Sequence, residues 1–204
     1  MIQKYSSFSK PQTTLSQTTL NIPEHALKTH LTLNLLREIN RVMIRLHDKQ
    51  ALFQAICNTF VDLGHYRMAW IGSMDEAIHK IVPIASAGVV AHYLDFINID
   101  LQDPQRSSGP TGMALREKLP FICQDIANDE KMLPWRENAL ARGYRSSAAF
   151  PLIIDNHVEG VLSIYSSEVN AFDEESITLI KAVSYTHLRA HETPEHLVCR
   201  LLLE

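Results

Sequence analysis

Histidine and cysteine side chains gather in the last twenty residues of the chain, YTHLRAHETPEHLVCRLLLE. His187, His191, His196 and Cys199 follow one another at steps of three to five residues, and they carry the nitrogen and sulfur ligands that zinc prefers. The same spacing, together with the leucine run, is also typical of an amphipathic helix that binds a partner. A third explanation is that the segment does not belong to the natural protein.

Two further cysteines offer thiol chemistry. Cys57 falls on the apolar side of a predicted helix, and Cys123 falls within a predicted strand. The three cysteines of the chain form no CxxC pair and no even disulfide framework, which is typical of a reducing cytosol. Buried structural cysteine is the favoured interpretation, and redox chemistry at Cys123 or Cys57 is the alternative.

The turn SSGPTG, residues 107–112, precedes a predicted short helix that Thr111 or Ser108 could cap. Because a helix N-terminus exposes unpaired N–H groups, such a turn can hold an anion. The phosphate-loop pattern GxxxxGK[ST] is absent, however. A simple turn is the favoured interpretation, with direct ligand contact as the alternative.

Ligand pockets combine apolar and aromatic walls with a few polar groups. On that basis we expect five residues to line a small-molecule site, although each aromatic among them is equally typical of a core: Trp70, Ser86, Thr111, Cys123 and Trp135. No Ser/His/Asp, HExxH or paired-carboxylate arrangement stands out. We therefore expect neither catalysis nor a metal site, and the sequence identifies no cofactor.

The elements that must position these residues follow from hydrophobic periodicity. Residues 1–30 are predicted to be a disordered leader or linker, because their first part is rich in Ser, Thr and Gln without apolar period. From Leu31 two amphipathic helices follow, then two strands, the second interrupted by Pro83 or lying at an edge. Residues 89–103 are ambiguous and are interpreted as a loop with helical turns.

The second half of the chain has clearer signals. After a short helix come the strand PFICQDI and a helix closed by Gly143. Two strands joined at DNH then give the strongest hairpin signal, and Asp173 is expected to cap a last helix. This order predicts an α+β fold with an antiparallel sheet.

Three stretches carry a family resemblance: WIG at the end of the first strand, GPTGMALREKLPFICQDI, and GYRSSAAFPLIIDNHVEGVLSIYSSEVNAFDEESITLIKAV. In this order and spacing they resemble a GAF domain, the small-molecule sensing module of bacterial signalling proteins. The resemblance covers about Leu31 to Lys181 and places the domain at residues 31–182. The closing stretch is most similar to GAF modules that precede diguanylate cyclase, phosphodiesterase or histidine kinase domains.

The resemblance implies an antiparallel sheet of five or six strands, with a ligand pocket on one face and the terminal helices on the other. It also implies a homodimer formed through these helices, which pass a signal to an output domain. The sequence contains no output-domain motif, so we expect that domain beyond a truncated last helix. A diguanylate cyclase or phosphodiesterase is the first candidate, and a histidine kinase is the second.

The end of the predicted domain at residue 182 favours the third explanation of the tail, that it does not belong to the natural protein. Residues 183–193 match the translation of a transposon end used in sequencing libraries, and residues 197–204 match a flow-cell primer. We therefore expect residues 183–204 to be a non-native, adapter-derived segment, whose histidines and cysteine carry no selected function. Resequencing the source locus with long reads tests this expectation.

Bulk composition excludes several classes of protein. A net charge of −4 gives no basic face for nucleic acid, and no apolar run is long enough to span a membrane. We expect a cytoplasmic, bacterial, non-catalytic sensor of an unidentified small ligand. The alternatives are a GAF-fold reductase of free methionine sulfoxide and a module that only dimerises.

Overall fold

The computed structural model describes residues 24–186, except 47, 76, 91, 98, 105–106 and 155–156. The helices are α1 (Glu24–Arg45), α2 (Lys49–Asp62), α3 (Tyr93–Phe96), α4 (Pro110–Glu117), α5 (Arg136–Ala141) and α6 (Glu174–Thr186), with a 3₁₀ turn at Glu130–Met132. The strands are β1 (Met68–Asp75), β2 (Lys80–Gly88), β3 (Phe121–Cys123), β4 (Ser146–Ile154) and β5 (His157–Ser166).

Several predictions concern parts of the chain that lie outside the described residues. These are residues 1–23 of the predicted leader and residues 187–204 of the predicted adapter segment, including the histidines and the cysteine of the tail. Helix α1 begins at Glu24, before the expected domain start at Leu31.

The five strands form one antiparallel sheet in the order β2-β1-β5-β4-β3. The predicted antiparallel α+β fold is therefore confirmed, with five strands in the part of the chain that the structure describes. Strand β2 lies at an edge, where a proline that cannot donate a ladder hydrogen bond is tolerated. The register of β1 and β2 shifts at this point, where Gly72 pairs with Pro83.

The hairpin predicted at DNH is confirmed by the pairing of β4 with β5. Ile154 lies opposite His157, so two residues connect the strands. Beyond this point the two strands pair along their whole length, with one register shift between Leu152 and Ile153. Strands β4 and β5 thus form the centre of the sheet together with β1.

Side chains alternate between two hydrophobic cores, one on each face of the sheet. On β5, Leu162 and Ile164 point to the first core, which also contains apolar residues of α1, α2 and α6. Val161 and Tyr165 point to the second core, which α3, α4, α5 and the 3₁₀ turn cover. Consecutive residues of a strand face opposite sides of the sheet, so they belong to different cores.

Helix α6 closes the first core. Its predicted cap is confirmed, since the Asp173 Oδ1 atom accepts a hydrogen bond from the Ser176 amide at 2.9 Å. The helix continues to Thr186 and buries Val183 and Ser184, so it passes the domain end that was expected at residue 182. Among the described residues, no helix is both long and apolar enough to cross a membrane.

Candidate functional site

A cavity lies between the sheet and the segments that cover the second core. Its wall is mainly aromatic and aliphatic, and helix α4 contributes its first turn. The lining residues are Tyr93, Ile97, Ile99, Gly109, Pro110, Thr111, Gly112, Met132, Trp135 and Tyr165. None of these ten carries a charged side chain, so the part of the cavity that the structure describes is neutral.

One row of residues runs across the sheet beneath the cavity. Paired positions on successive strands are Ser86 on β2, Trp70 on β1, Ser163 on β5, Ala149 on β4 and Phe121 on β3. Directly opposite residues of antiparallel strands share one face of the sheet. The predicted site residues Trp70 and Ser86 therefore belong to the floor of this side, although neither lines the cavity itself.

Thr111 connects helix α4 to that row. Its Oγ1 atom lies 3.2 Å from the Ser163 Oγ atom, and both hydroxyl groups are buried. The expectation that Thr111 or Ser108 caps α4 is wrong, because Gly109 is the N-cap residue and no side chain caps the helix. Pro110 at the first helical position has no N–H group that would need a partner. The Thr111 hydroxyl does not act as a cap and contacts the sheet instead.

Trp135 forms a wall of the cavity next to the start of α4. Its indole ring lies so close to Gly109 that a Cβ atom on this glycine would overlap with the ring. Gly109 in SSGPTG is therefore required by the close approach of an aromatic ring, and direct ligand contact at this turn stays a prediction.

Three tyrosines pack against one another, and two of them, Tyr93 and Tyr165, line the cavity. Tyr93 meets Tyr144 and Tyr165 edge to face, with ring centroids 5.1 and 5.6 Å apart. Burial raises the pKa of all three phenols, and a hydrogen bond between Tyr93 and Tyr165 raises that of Tyr93 further. The phenol groups of the three tyrosines are therefore held in their uncharged form.

Two buried polar groups near the tyrosines have no hydrogen-bond partner among the described residues. They are the Trp70 indole N–H and the Ser147 hydroxyl. Ser147 is the residue directly opposite Tyr165 on β4. Buried polar groups of this kind are uncommon in proteins.

The free space is small in this conformation. About 20 Å³ of the cavity is open to the centre of a water molecule, which is room for about one water. The rings of Tyr93, Trp135 and Tyr165 line this space. A ligand larger than a water molecule therefore enters only if one of the lining side chains moves.

The two described cysteines lie on opposite faces of the sheet. Cys57 belongs to the first core and Cys123 to the second. Burial raises the pKa of each thiol to about 12, and at Cys123 the neighbouring Asp129 carboxylate adds to the effect. Both thiols are therefore protonated at neutral pH, and they cannot meet to form a disulfide within one chain.

No group of three or more His, Cys, Asp or Glu side chains within the described part of the chain is placed to hold a metal ion. His92, a residue of the ambiguous loop, lies on the surface, with its Nδ1 atom 3.0 Å from Asp95 Oδ2.

The five residues predicted for the site thus have three different positions. Thr111 and Trp135 line the cavity, Trp70 and Cys123 are buried in the core beside it, and Ser86 is partly buried on the edge strand. Their contact with a ligand stays a prediction. Sequence reasoning missed Tyr93 and Tyr165. The alternation of β5 places Tyr165 on the same face as Ser163, whereas Tyr93 lies in the loop of ambiguous pattern.

Comparisons with known proteins agree on the fold. The sequence profile of a family described as GAF domain matches residues 47–186. No curated protein matches the chain.

Solved structures with the same fold come from a reductase and from GAF domains of phosphotransferases. A free methionine-R-sulfoxide reductase from Neisseria meningitidis, in complex with its substrate, has 17% identity and a TM-score of 0.66 over 83% of this chain and 93% of its own. The GAF domain of an Acinetobacter phosphoenolpyruvate-protein phosphotransferase has 17% identity and a TM-score of 0.63 over 83% and 98%. The corresponding domain from Coxiella burnetii has 16% identity and a TM-score of 0.65 over 86% and 99%.

Proposed function

The chain belongs to the GAF domain family, and from this premise we propose that it is a non-catalytic sensory domain of a bacterial, cytoplasmic signalling protein. Its ligand binds in the cavity between the sheet and helices α3 and α4. The observation that supports this proposal most is the position of that cavity, which lies across the sheet from the two terminal helices.

The sheet offers a short physical route between the two sides. Ser163 and Tyr165 on β5 face the cavity side, while Leu162 and Ile164 on the same strand pack in the core that contains residues of α1 and α6. A ligand that shifts Tyr165 therefore acts on a strand whose neighbouring side chains support the terminal helices. Binding would change the populations of two helix arrangements rather than drive a reaction.

The state of the thiols favours a sensor over a reductase. Reactive cysteines have a lowered pKa and are accessible to solvent, whereas both described cysteines are buried and have a raised pKa. The likeness to the Neisseria reductase is below 20% identity and indicates the fold alone.

We also propose that the domain forms a homodimer through its terminal helices and signals to a C-terminal output domain. The first candidate for the output is a diguanylate cyclase or phosphodiesterase, and the second is a histidine kinase. Helix α1 carries apolar side chains on its exposed side, with Leu33 46% and Ile44 77% exposed. Such residues are suited to an interface between two copies.

The proposal is tested by a screen for ligands that raise the melting temperature, using cyclic nucleotides, haem and metabolites. Thr111→Val should weaken the binding of any compound that raises the melting temperature, because it removes the hydroxyl group at the cavity wall. Thr59→Val is the matched control: Thr59 is equally buried, but it lies on α2 and its hydroxyl donates to the Ala55 carbonyl. An equal loss in both variants, or no binding at all, contradicts the proposal.

The reductase alternative has its own test. Neither the natural chain nor its variants Cys123→Ser and Cys57→Ser should reduce free methionine sulfoxide with a thiol donor. If the natural chain reduces free methionine sulfoxide and Cys123→Ser does not, the proposal of a non-catalytic sensor is wrong and the chain is an enzyme.

A further inference from the structure

The side chain of Tyr93 lines the cavity together with Tyr165. It is 1% exposed although it comes from a helix of four residues, α3, within the loop of residues 89–103. Its ring packs edge to face on the rings of Tyr144 and Tyr165. A loop residue that occupies the interior in this way takes the place where a ligand of similar shape would bind.

The hydrogen bonds that join the loop backbone to other described segments lie at its two ends. At the first end the Tyr144 hydroxyl donates to the Val89 carbonyl. At the other end the Ile81 amide donates to the Ile99 carbonyl at 3.1 Å, beside the bridge between Lys80 and Asp100.

The centre of the loop is held by the buried side chains of Tyr93 and Ile97 and by hydrogen bonds within the loop. Helix α3 is far shorter than a helix that is stable alone, and its N-cap residue His92 has a left-handed φ of 60° without a side-chain cap. Tyr93 can therefore leave the cavity by a local rearrangement that keeps both ends in place.

The surroundings of Tyr93 define what could replace it. Two aromatic rings offer their faces and edges, the Tyr165 hydroxyl offers a hydrogen-bond partner, and the Arg142 guanidinium lies 5.4 Å from the centre of the Tyr93 ring on the outside. A phenol satisfies all of these contacts, since an aromatic ring also suits the cation above it.

Charge and polarity narrow the class further. The cavity wall has no charged side chain among the described residues, so a buried carboxylate or phosphate would lose its hydration with only the N–H groups of the first turn of α4 to compensate for it. Arg142 lies outside the wall, and its Nη1 atom already donates to the Asn138 carbonyl. A pure hydrocarbon is also disfavoured, because the Ser147 hydroxyl has no partner among the described residues and would gain none from a hydrocarbon.

We propose that the ligand is a small uncharged aromatic molecule with a hydroxyl group, and that it binds by displacing the side chain of Tyr93. This inference rests on the proposed function and adds to it the chemical class of the ligand and the residue with which it competes.

The test compares 4-methylphenol, which reproduces the tyrosine side chain, with 4-methylbenzoate, which has the same ring but a carboxylate. Binding to the full chain is followed by melting temperature and by tryptophan fluorescence, since Trp135 lines the cavity. We expect 4-methylphenol to raise the melting temperature and change the fluorescence, and 4-methylbenzoate to do neither.

A variant tests the displacement. Tyr93→Ala should bind 4-methylphenol about tenfold more tightly than the natural chain or better, because no side chain competes for a position that is open in a minor population. It should also prefer 4-methylphenol to toluene. Phe150→Ala is the matched control, since Phe150 is equally buried in the opposite core; a cavity there should not prefer the phenol.

The outcomes separate the inference from the proposed function. If 4-methylbenzoate or another anion binds the natural chain as well as the phenol does, or if Tyr93→Ala gains no affinity, the inference is wrong and the sensor remains. If neither the natural chain nor Tyr93→Ala binds any compound of either panel, both are wrong.

Discussion

Gly109 shows at the scale of one residue how the cavity is built. The Trp135 ring covers it closely enough that any side chain would collide with the indole. The glycine thus sets the distance between α4 and the wall of the cavity, and the shape of the site depends on the absence of one methyl group.

Gly109→Ala should therefore lower the free energy of unfolding by about 1–3 kcal/mol, which is the usual cost of overpacking. Urea denaturation followed by tryptophan fluorescence measures this change. In a Trp135→Leu background the collision is removed, so the same substitution should cost less there. Equal costs in the two backgrounds would show that the ring does not impose the glycine.

The buried thiol of Cys57 should make the fold sensitive to alkali. Burial raises its pKa from the usual 9.0 to about 12, so the folded chain keeps a proton that the unfolded chain releases. The stabilising contribution is fully present below pH 9 and is lost as the pH rises towards 12, by up to about 1.4 kcal/mol per pH unit.

The measurement is the urea midpoint between pH 7 and pH 11 in a Cys199→Ser background. Cys57→Ala should lower the midpoint at pH 7, because it leaves a cavity, but it should make the decline above pH 9 less steep. Parallel curves for the two proteins would contradict the raised pKa of this thiol.

At the scale of elements, α6 depends on the cap at its N-terminus. Asp173→Ala removes the acceptor for the Ser176 amide and should cost about 1 kcal/mol of stability. Asp173→Asn keeps an oxygen in the same place, so it should cost much less. Urea denaturation of both variants provides the comparison, and a similar loss in the two would show that the charge of Asp173 matters more than the cap.

The elements also show how far sequence patterns reach. The hairpin at DNH, the edge position of the strand with Pro83 and the cap at Asp173 follow from local rules, and the structure confirms them. The cap of α4 was missed because the Thr111 hydroxyl pairs with Ser163, which is distant along the chain. Local rules carry no information about such a partner.

The same limit explains the site. Thr111 and Trp135 belong to a recognisable turn and helix, whereas Tyr93 comes from a loop with no periodic pattern. Its burial results from packing against Tyr144 and Tyr165 on other segments. Predicting it requires the three-dimensional arrangement of three segments at once.

At the scale of the whole molecule, the sheet separates a side that contains the small cavity from a side that contains the terminal helices. The five strands are continuous between the two cores, and β5 contributes alternate residues to each. A sensor with this construction should transmit a change across the thickness of one sheet, about 10 Å, without rearranging its fold.

Amide hydrogen exchange of the full chain with saturating 4-methylphenol tests this account most directly. It predicts altered exchange in residues 93–117 around the cavity and also in α6, across the sheet, with a weaker response in Thr111→Val than in Thr59→Val. Altered exchange that stops at α4, with α6 unchanged while the ligand is bound, would contradict the account.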